Sequence, residues 1–322
     1  MALDPSTGAI RVMASIPGYD PNQVPGHYAQ LNRDRNSPLF NRATQARYPP
    51  GSTFKVVTAA AALDTHRYTP DSPISGKNNK IISGVPLQNF GGANYGVIPL
   101  TDALTHSVNT VFGEVGEKLG KRTMFKYMRR FGFDSRLGLD YPSEEITPSG
   151  VFKRSRLLGA SDSVDIGRVA IGQERLQVTP LQMAMVAATV GNGGIEMRPR
   201  LVDRVLAPDG AVRERFGPKE RATVMSSRAA TELGQMMTRV VQEGTGTASA
   251  LSGIRVAGKT GTAEITPGAA GGLNQAWFIA FAPVDHPRVA IAVTVERTSG
   301  EGGTVAAPIA KQVLQVLLSE GK

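Results

Sequence analysis

The 322-residue chain contains no cysteine. Disulfides, thiolate metal sites and cysteine nucleophiles are therefore excluded, and any nucleophile has to come from another side chain. The four histidines, His27, His66, His106 and His286, lie far apart in sequence, so nothing demands a metal and no cofactor is expected. Aromatic residues make up only 6% of the chain, and the lysines and arginines behind its net charge of +9 are scattered, the densest groups lying at 118–130 and 198–204. Without a basic stripe interleaved with stacking residues, nucleic acid is not an expected partner. No run approaches the roughly 18 apolar residues of a membrane span, and no basic-then-apolar leader opens the chain. Met1-Ala2-Leu3-Asp4 reads instead as the end of a strand entering the turn Pro5-Ser6-Thr7-Gly8, so an upstream segment is expected.

What is present fits a globular protein: 41% hydrophobic and 20% charged residues, with 36 glycines and 21 prolines for turns. At this length either a large domain or two subdomains sharing a cleft is expected. Residues 2–17 alternate as a hairpin, and the polar stretch 19–48 reads as surface loop. Helices are predicted at 52–63, 101–119, 121–131, 227–242 and 304–318, the last turning Ile309, Val313, Leu314 and Leu317 inward. Thr179-Pro180-Leu181-Gln182 opens another, with Thr179 as N-cap and Gln182 placed to complete a capping box. Segments 67–98 and 132–178 read mostly as loop. Leu201–Ala207 and Ala211–Phe216 form a hairpin around Pro208-Asp209-Gly210, and three strands follow at 254–265, 276–282 and 288–296, the first two joined by a glycine-rich connection at 267–272. Both ends of the chain supply strands. The predicted architecture is an α/β (α+β type) fold, a mainly antiparallel sheet covered by helices, with a sheet subdomain from about 1–50 and 195–322 and a helical subdomain from about 52–194. The cleft between them is the natural place for a site.

Chemistry concentrates in two places. Pro49-Pro50-Gly51 breaks the chain and starts a helix at Ser52, with Lys55 one turn on. Residues three apart share a helix face, so a neutral Lys55 amine can take the Ser52 proton and make it a nucleophile. The same pattern recurs at Ser319–Lys322, so by itself it is weak. Around Lys259 two chemistries compete. Gly253-Ile254-Arg255-Val256-Ala257-Gly258-Lys259-Thr260 satisfies the nucleotide-loop spacing, but that loop needs a strand before it and a helix opening at the lysine. Here Ile254 and Val256 alternate as a strand, and Gly261 and Pro267 leave no room for a helix. The competing reading puts Lys259, Thr260, Gly261 and Thr262 on a sheet edge, where Lys259 and the two hydroxyls line a groove and Gly261 admits a substrate backbone, suiting an extended peptide that ends in a carboxylate.

Ser52-Thr53-Phe54-Lys55, Ser107-Val108-Asn109 and Lys259-Thr260-Gly261-Thr262, in that order, resemble the three motifs of penicillin-binding proteins and class A β-lactamases. The whole chain resembles the transpeptidase domain of class B penicillin-binding proteins. Pro49-Pro50-Gly51-Ser52, Ile171-Gly172-Gln173, 178–184 and 276–283 are similar to the actinobacterial branch often called penicillin-binding protein A. The resemblance implies a DD-transpeptidase/β-lactamase-like fold and a serine enzyme that cross-links peptidoglycan stem peptides and is acylated by β-lactams. It implies Ser52 as nucleophile, Lys55 as base, Ser107 as proton relay toward Lys259, and Asn109 as a binder of substrate amide. Lys259, Thr260 and Thr262 would hold the terminal carboxylate, beside Gly261, and the backbone N–H groups of Ser52 and Thr262 would form the oxyanion hole. A deacylating glutamate is not matched, because Glu144-Glu145-Ile146-Thr147-Pro148 departs from the β-lactamase pattern. Nor is the Ser-Xaa-Val of class D enzymes and their sensor relatives. A β-lactam-sensing receptor, a D,D-carboxypeptidase or β-lactamase of the same fold, and more remotely a nucleotide hydrolase, are the alternatives. The family context implies extracytoplasmic work at the cell wall, stem peptides and β-lactams as ligands, a cell-wall synthesis or division complex as partner, and membrane attachment only through an N-terminal anchor and non-catalytic module not in this sequence.

Overall fold

In the computed structural model, which describes residues 1–265 and 272–319, both ends of the chain build one five-stranded antiparallel sheet. Strands β1 (Ala2–Leu3) and β2 (Ile10–Val12) come from the N-terminal turn; β3 (Ala257–Glu264), β4 (Asn274–Ala282) and β5 (Val289–Thr298) come from the last quarter. Their order is β3-β4-β5-β1-β2, which leaves β3 at an edge. Ala2 sits opposite Ile291 and Leu3 opposite Ala290, and the Met1 amine donates to Ala292 O at 3.0 Å. The glycine-rich connection read at 267–272 falls, but for Gly272, outside the described residues, as does most of the second Ser-Xaa-Xaa-Lys copy beyond Ser319.

Among the described residues the α-helices of six residues or more are α1 (Val24–Arg33), α2 (Lys55–Asp64), α3 (Leu100–Thr105), α4 (Asn109–Arg130), α5 (Pro180–Gly191), α6 (Ser227–Gln242) and α7 (Ala307–Ser319). The interior strand β4 is buried on both faces, so from Ala276 to Ala282 it reads as an unbroken apolar run. Trp277, Ile279 and Phe281 belong to the large core shared with α2, α4, α5 and α6, while Phe278, Ala280 and Ala282 pack with Ala307, Ala310, Leu314 and Leu318 of α7. Helix α2 has every residue from Lys55 to Leu63 buried, and its run Ala59–Ala62 is small enough for neighbours to approach from all sides. A lysine at the head of such a helix is the residue that burial penalises most.

The structure departs from the sequence reading in several places. A helix, α1, stands in the stretch read as loop; none of its residues is buried, so it has no apolar face for a periodicity search to find. The helix read at 101–119 is broken: α3 ends at Thr105, Ser107 takes φ +57°, Val108 is extended, and α4 starts at Asn109. Helix α4 then continues through the next predicted helix, with Gly120 at φ +78° marking where the two meet. The stretches read as loop at 67–98 and 132–178 hold short pairings such as Pro73–Ser75 with Val97–Pro99, and Gly150–Lys153 with Arg156–Leu157. Thr179 caps α5 as expected, accepting from Gln182 N at 3.1 Å, but the capping box is not completed. Gln182 Nε2 donates instead to Phe131 O at 2.6 Å, tying α5 to the end of α4. Ile309 faces solvent at 42% exposure; Ala310 and Leu318 take the inward positions beside Leu314.

Candidate active site

The nucleophile turn is built by contact with three other segments. Gly51–Phe54 form one 3-10 turn that runs directly into α2, so Ser52 and Lys55 are one turn apart as the spacing requires. Ahead of it, Tyr48 and Val178 exchange backbone bonds of 2.9 and 2.8 Å, and Trp277 Nε1, fully buried in the sheet, donates to Pro49 O at 3.0 Å. Gly51 N donates to Gly172 O at 3.0 Å, and Gly51 itself sits at φ +52°. A Cβ on Gly51 would lie 2.7 Å from Thr262 O, and one on Gly261 would lie 2.7 Å from Pro50 O. The edge strand and the nucleophile turn therefore touch backbone to backbone. Sequence reasoning gave Gly261 the task of admitting a substrate; on this side it admits the protein's own Pro50 and Thr53.

Three of the predicted catalytic groups meet in the interior. Lys55 Nζ bonds Ser107 O at 2.6 Å, Ser107 Oγ at 3.2 Å and Asn109 Oδ1 at 2.7 Å. Lys259 Nζ donates to the same Ser107 Oγ at 2.9 Å and to Thr260 O at 3.0 Å. One hydroxyl thus stands between two amines, both fully buried. That placement depends on the left-handed backbone at Ser107, a conformation that is strained for a non-glycine residue and turns its side chain out of the helical path. None of the three bonds of Lys55 goes to Ser52, which lies at the half-buried mouth. Asn109 also donates from Nδ2 to Gln88 O at 2.9 Å, so its amide is held at both ends.

Burial lowers the pKa of both amines. The Lys55 pKa is pushed well below the ordinary lysine value, first by desolvation and then by the Lys259 charge. Lys259 is lowered to about 7 by desolvation. Two ammonium groups sharing one hydroxyl in a dry site repel strongly, so the pair carries one charge near neutral pH. The Lys259 charge is one cause of the lowering at Lys55, which corresponds to Lys55 neutral and Lys259 charged.

Strand alternation separates the groups of the third motif. Lys259 points toward the helical side, whereas Thr260 and Thr262 lie on the other face of β3, where Thr260 Oγ1 meets Thr245 Oγ1 at 2.6 Å and Thr262 Oγ1 accepts from Gly302 N at 3.2 Å. A groove lined by all three groups, as read from sequence, has to run along the edge of β3 and be reached from both faces. Thr245 and Gly302 were not singled out there. Thr245 lies in the loop after α6, Gly302 in the single π turn before α7, and neither position carries a spacing signal. The His106 ring, next to Ser107 in sequence, stacks on Tyr95 with centroids 6.0 Å apart. Lys259 lies in the middle of a strand with no helix opening at it, which removes the nucleotide-loop reading. Among the described residues no group of side chains could hold a metal ion.

Comparison with known proteins gives a consistent result. The family model of the penicillin binding protein transpeptidase domain matches residues 1–315. The peptidoglycan D,D-transpeptidase PbpA of Mycolicibacterium smegmatis is 39% identical over 337 residues, covering 100% of this chain and 67% of that protein. Its Mycobacterium tuberculosis counterpart is 38% identical over 99% of this chain and 66% of its own length. The chain thus spans about two thirds of these relatives. Among solved structures, penicillin-binding protein A from M. tuberculosis in its ceftriaxone acyl-enzyme complex superposes with a TM-score of 0.88 at 35% identity, over 98% of this chain and 73% of that one. The D,D-transpeptidase domain of a peptidoglycan glycosyltransferase from Eggerthella lenta gives 0.87 at 33% identity, over 99% and 77%.

Proposed function

The chain belongs to the penicillin-binding protein transpeptidase family, and from that premise we propose that it is a serine D-Ala-D-Ala transpeptidase acting through an acyl-enzyme on Ser52. The observation that carries the reading is the meeting on Ser107 Oγ of two buried amines, one of them the lysine one turn on from Ser52, an arrangement that yields one neutral base and one cation from two identical side chains.

In this reading Ser52 Oγ attacks the penultimate D-Ala carbonyl of a stem peptide while its proton passes to the neutral Lys55. The oxyanion is received by the backbone N–H groups of Ser52 and Thr262, a role supported by the close backbone approach of Gly51 to Thr262. As the C–N bond breaks, the proton travels from Lys55 through Ser107 to the leaving D-Ala amine, and the shared hydroxyl makes that relay short. An acceptor amine from another strand then attacks the ester, returning its proton by the same route and freeing Ser52. Lys259 supplies positive charge for the terminal carboxylate of the donor, the Thr260 and Thr262 hydroxyls donate to that carboxylate from the edge of β3, and Asn109 holds a substrate amide. A β-lactam presents the same carbonyl and carboxylate, and opening its ring leaves no departing amine, so the ester on Ser52 persists. The cleft lies between a sheet part, about 1–50 and 195–322, and a helical part, about 52–194. Members of the family act on peptidoglycan, outside the cytoplasm; among the described residues no helix is long and apolar enough to cross a membrane, and an anchor N-terminal to this sequence would hold the domain at the wall.

The test is D-amino-acid exchange. A stem pentapeptide mixed with the protein and a labelled free D-amino acid should release D-Ala and take up the label at its C-terminus. Release of D-Ala with only hydrolysed tetrapeptide would contradict transfer and favour a carboxypeptidase.

A further inference from the structure

Thr245 is outside all three motifs, yet it touches the parts of the cleft that the motifs leave unconnected. Its Oγ1 lies 2.6 Å from Thr260 Oγ1 on β3. Its N–H donates to Thr105 O at 3.3 Å, the last residue of α3 before the His106–Ser107 turn. Its own carbonyl abuts Gly303 ahead of α7, where a Cβ would come within 2.5 Å. The neighbouring Gly244 packs so closely on the same Thr105 that a Cβ there would lie 2.4 Å from Thr105 O. The Thr245 backbone is thus held between Thr105 and Gly303, and its hydroxyl is aimed at one partner.

Direction matters in that hydroxyl pair. If Thr260 donates to Thr245, its proton is used up and nothing is left to offer an anion. If Thr245 donates, Thr260 Oγ1 accepts and its own proton is free to point out of the strand edge, polarised by the bond behind it. We propose that Thr245 is a positioning residue of the transpeptidase: by donating to Thr260 Oγ1 it aims the Thr260 proton at the substrate carboxylate. This rests on the reading of β3 as the carboxylate-binding edge. Thr245 is solvent-exposed, so deleting its hydroxyl opens no buried cavity, and the effect falls on binding rather than on folding.

Acylation by a fluorescent penicillin, followed over a range of concentrations, separates the half-saturating concentration from the limiting rate. The Thr245→Val variant should need roughly three- to tenfold more penicillin for half-saturation, the worth of one hydrogen bond. Its limiting rate and pH profile should be those of the parent, and Thr245→Ser should restore parental behaviour. With a penicillin whose carboxylate is esterified, Thr245→Val and parent should be equal. Parental half-saturation in Thr245→Val, a loss confined to the limiting rate, failure of Thr245→Ser to rescue, or an equal loss on the ester would each overturn the proposal while Ser52 acylation by the parent still stands. Absence of any adduct on the parent would instead overturn the underlying functional reading.

Discussion

Replacing Lys55 with methionine should cut the rate of Ser52 acylation by about 10³-fold or more while the protein remains folded. Methionine fills nearly the same volume at the head of α2 but cannot accept a proton. Two effects on stability oppose each other. The native structure depresses the Lys55 pKa, so at neutral pH the folded state must give up a proton that the unfolded chain keeps. That penalty is present below the unfolded value and fades as pH rises toward it, and methionine abolishes it. Against this, Ser107 O and Asn109 Oδ1 lose a donor. A thermal melt should therefore shift by only a few degrees, on the order of 1–2 kcal/mol. A variant that unfolds, or that acylates within about tenfold of the parent, contradicts the assignment of Lys55 as base.

The same pair predicts a pH dependence. Activity requires Lys55 neutral, and its depressed pKa puts the rising limb well below the ordinary lysine range. Binding of an anionic substrate requires Lys259 charged, and with its pKa lowered to about 7 that charge is lost as pH rises. The second-order acylation constant should accordingly fall above about pH 7. The limiting rate at saturation should hold to higher pH, because a bound carboxylate favours the protonated amine.

The second large effect is structural in origin and lies outside the three motifs. Gly172 sits at φ +79°, and a Cβ there would lie 1.8 Å from Gly51 O, 2.6 Å from Gly51 C and 2.9 Å from Gly51 Cα. All three are backbone atoms of the residue before the nucleophile, and Gly51 N is bonded to Gly172 O. Neither side can yield without moving Ser52. Alanine at 172 combines a left-handed conformation, costing about 1–2 kcal/mol, with a displaced peptide, for a total on the order of 3 kcal/mol or more. Differential scanning calorimetry should show a midpoint lower by about 5–10 °C. At temperatures where the variant is still folded, acylation should be slower by roughly 10- to 100-fold, because a displaced nucleophile loses its alignment with the oxyanion donors. Gly159→Ala is the control: its φ is not left-handed and nothing lies within 4 Å of the added Cβ, so both readouts should stay at the parental level. A parental rate in Gly172→Ala would show that the turn is not set by this contact.

These two residues illustrate what the sequence discloses. Lys55 is legible because the base must be one helical turn from the serine, and that constraint leaves a fixed spacing in the chain. The antiparallel sheet is legible for a similar reason: β4 and β5 are apolar runs too long and too branched or aromatic to be turns, and short links permit only hairpin-like pairing. Gly172 appears in the sequence only as a residue of a family-like segment, since its partner is Gly51, far away in the chain. The break at Ser107 is hidden because no glycine or proline marks it; packing of Val108, almost fully buried, holds a serine where local preference would not. Helix α1 has no buried face and so no period. Gln182 was read by its spacing from Thr179, but Phe131 O, an unpaired acceptor at the end of α4, competes successfully for its amide. In the site itself the residue types were legible and the faces were not: Lys259, Thr260 and Thr262 fall within four residues, yet the strand turns Lys259 to one side and the two threonines to the other.

The most direct test of the account is to incubate the protein with a penicillin, digest it and locate the adduct by mass spectrometry. The account predicts one molecule of penicillin added per chain, through an ester on Ser52, and no adduct on a folded Ser52→Ala variant. An adduct on any other residue, or undiminished labelling of Ser52→Ala, would contradict it.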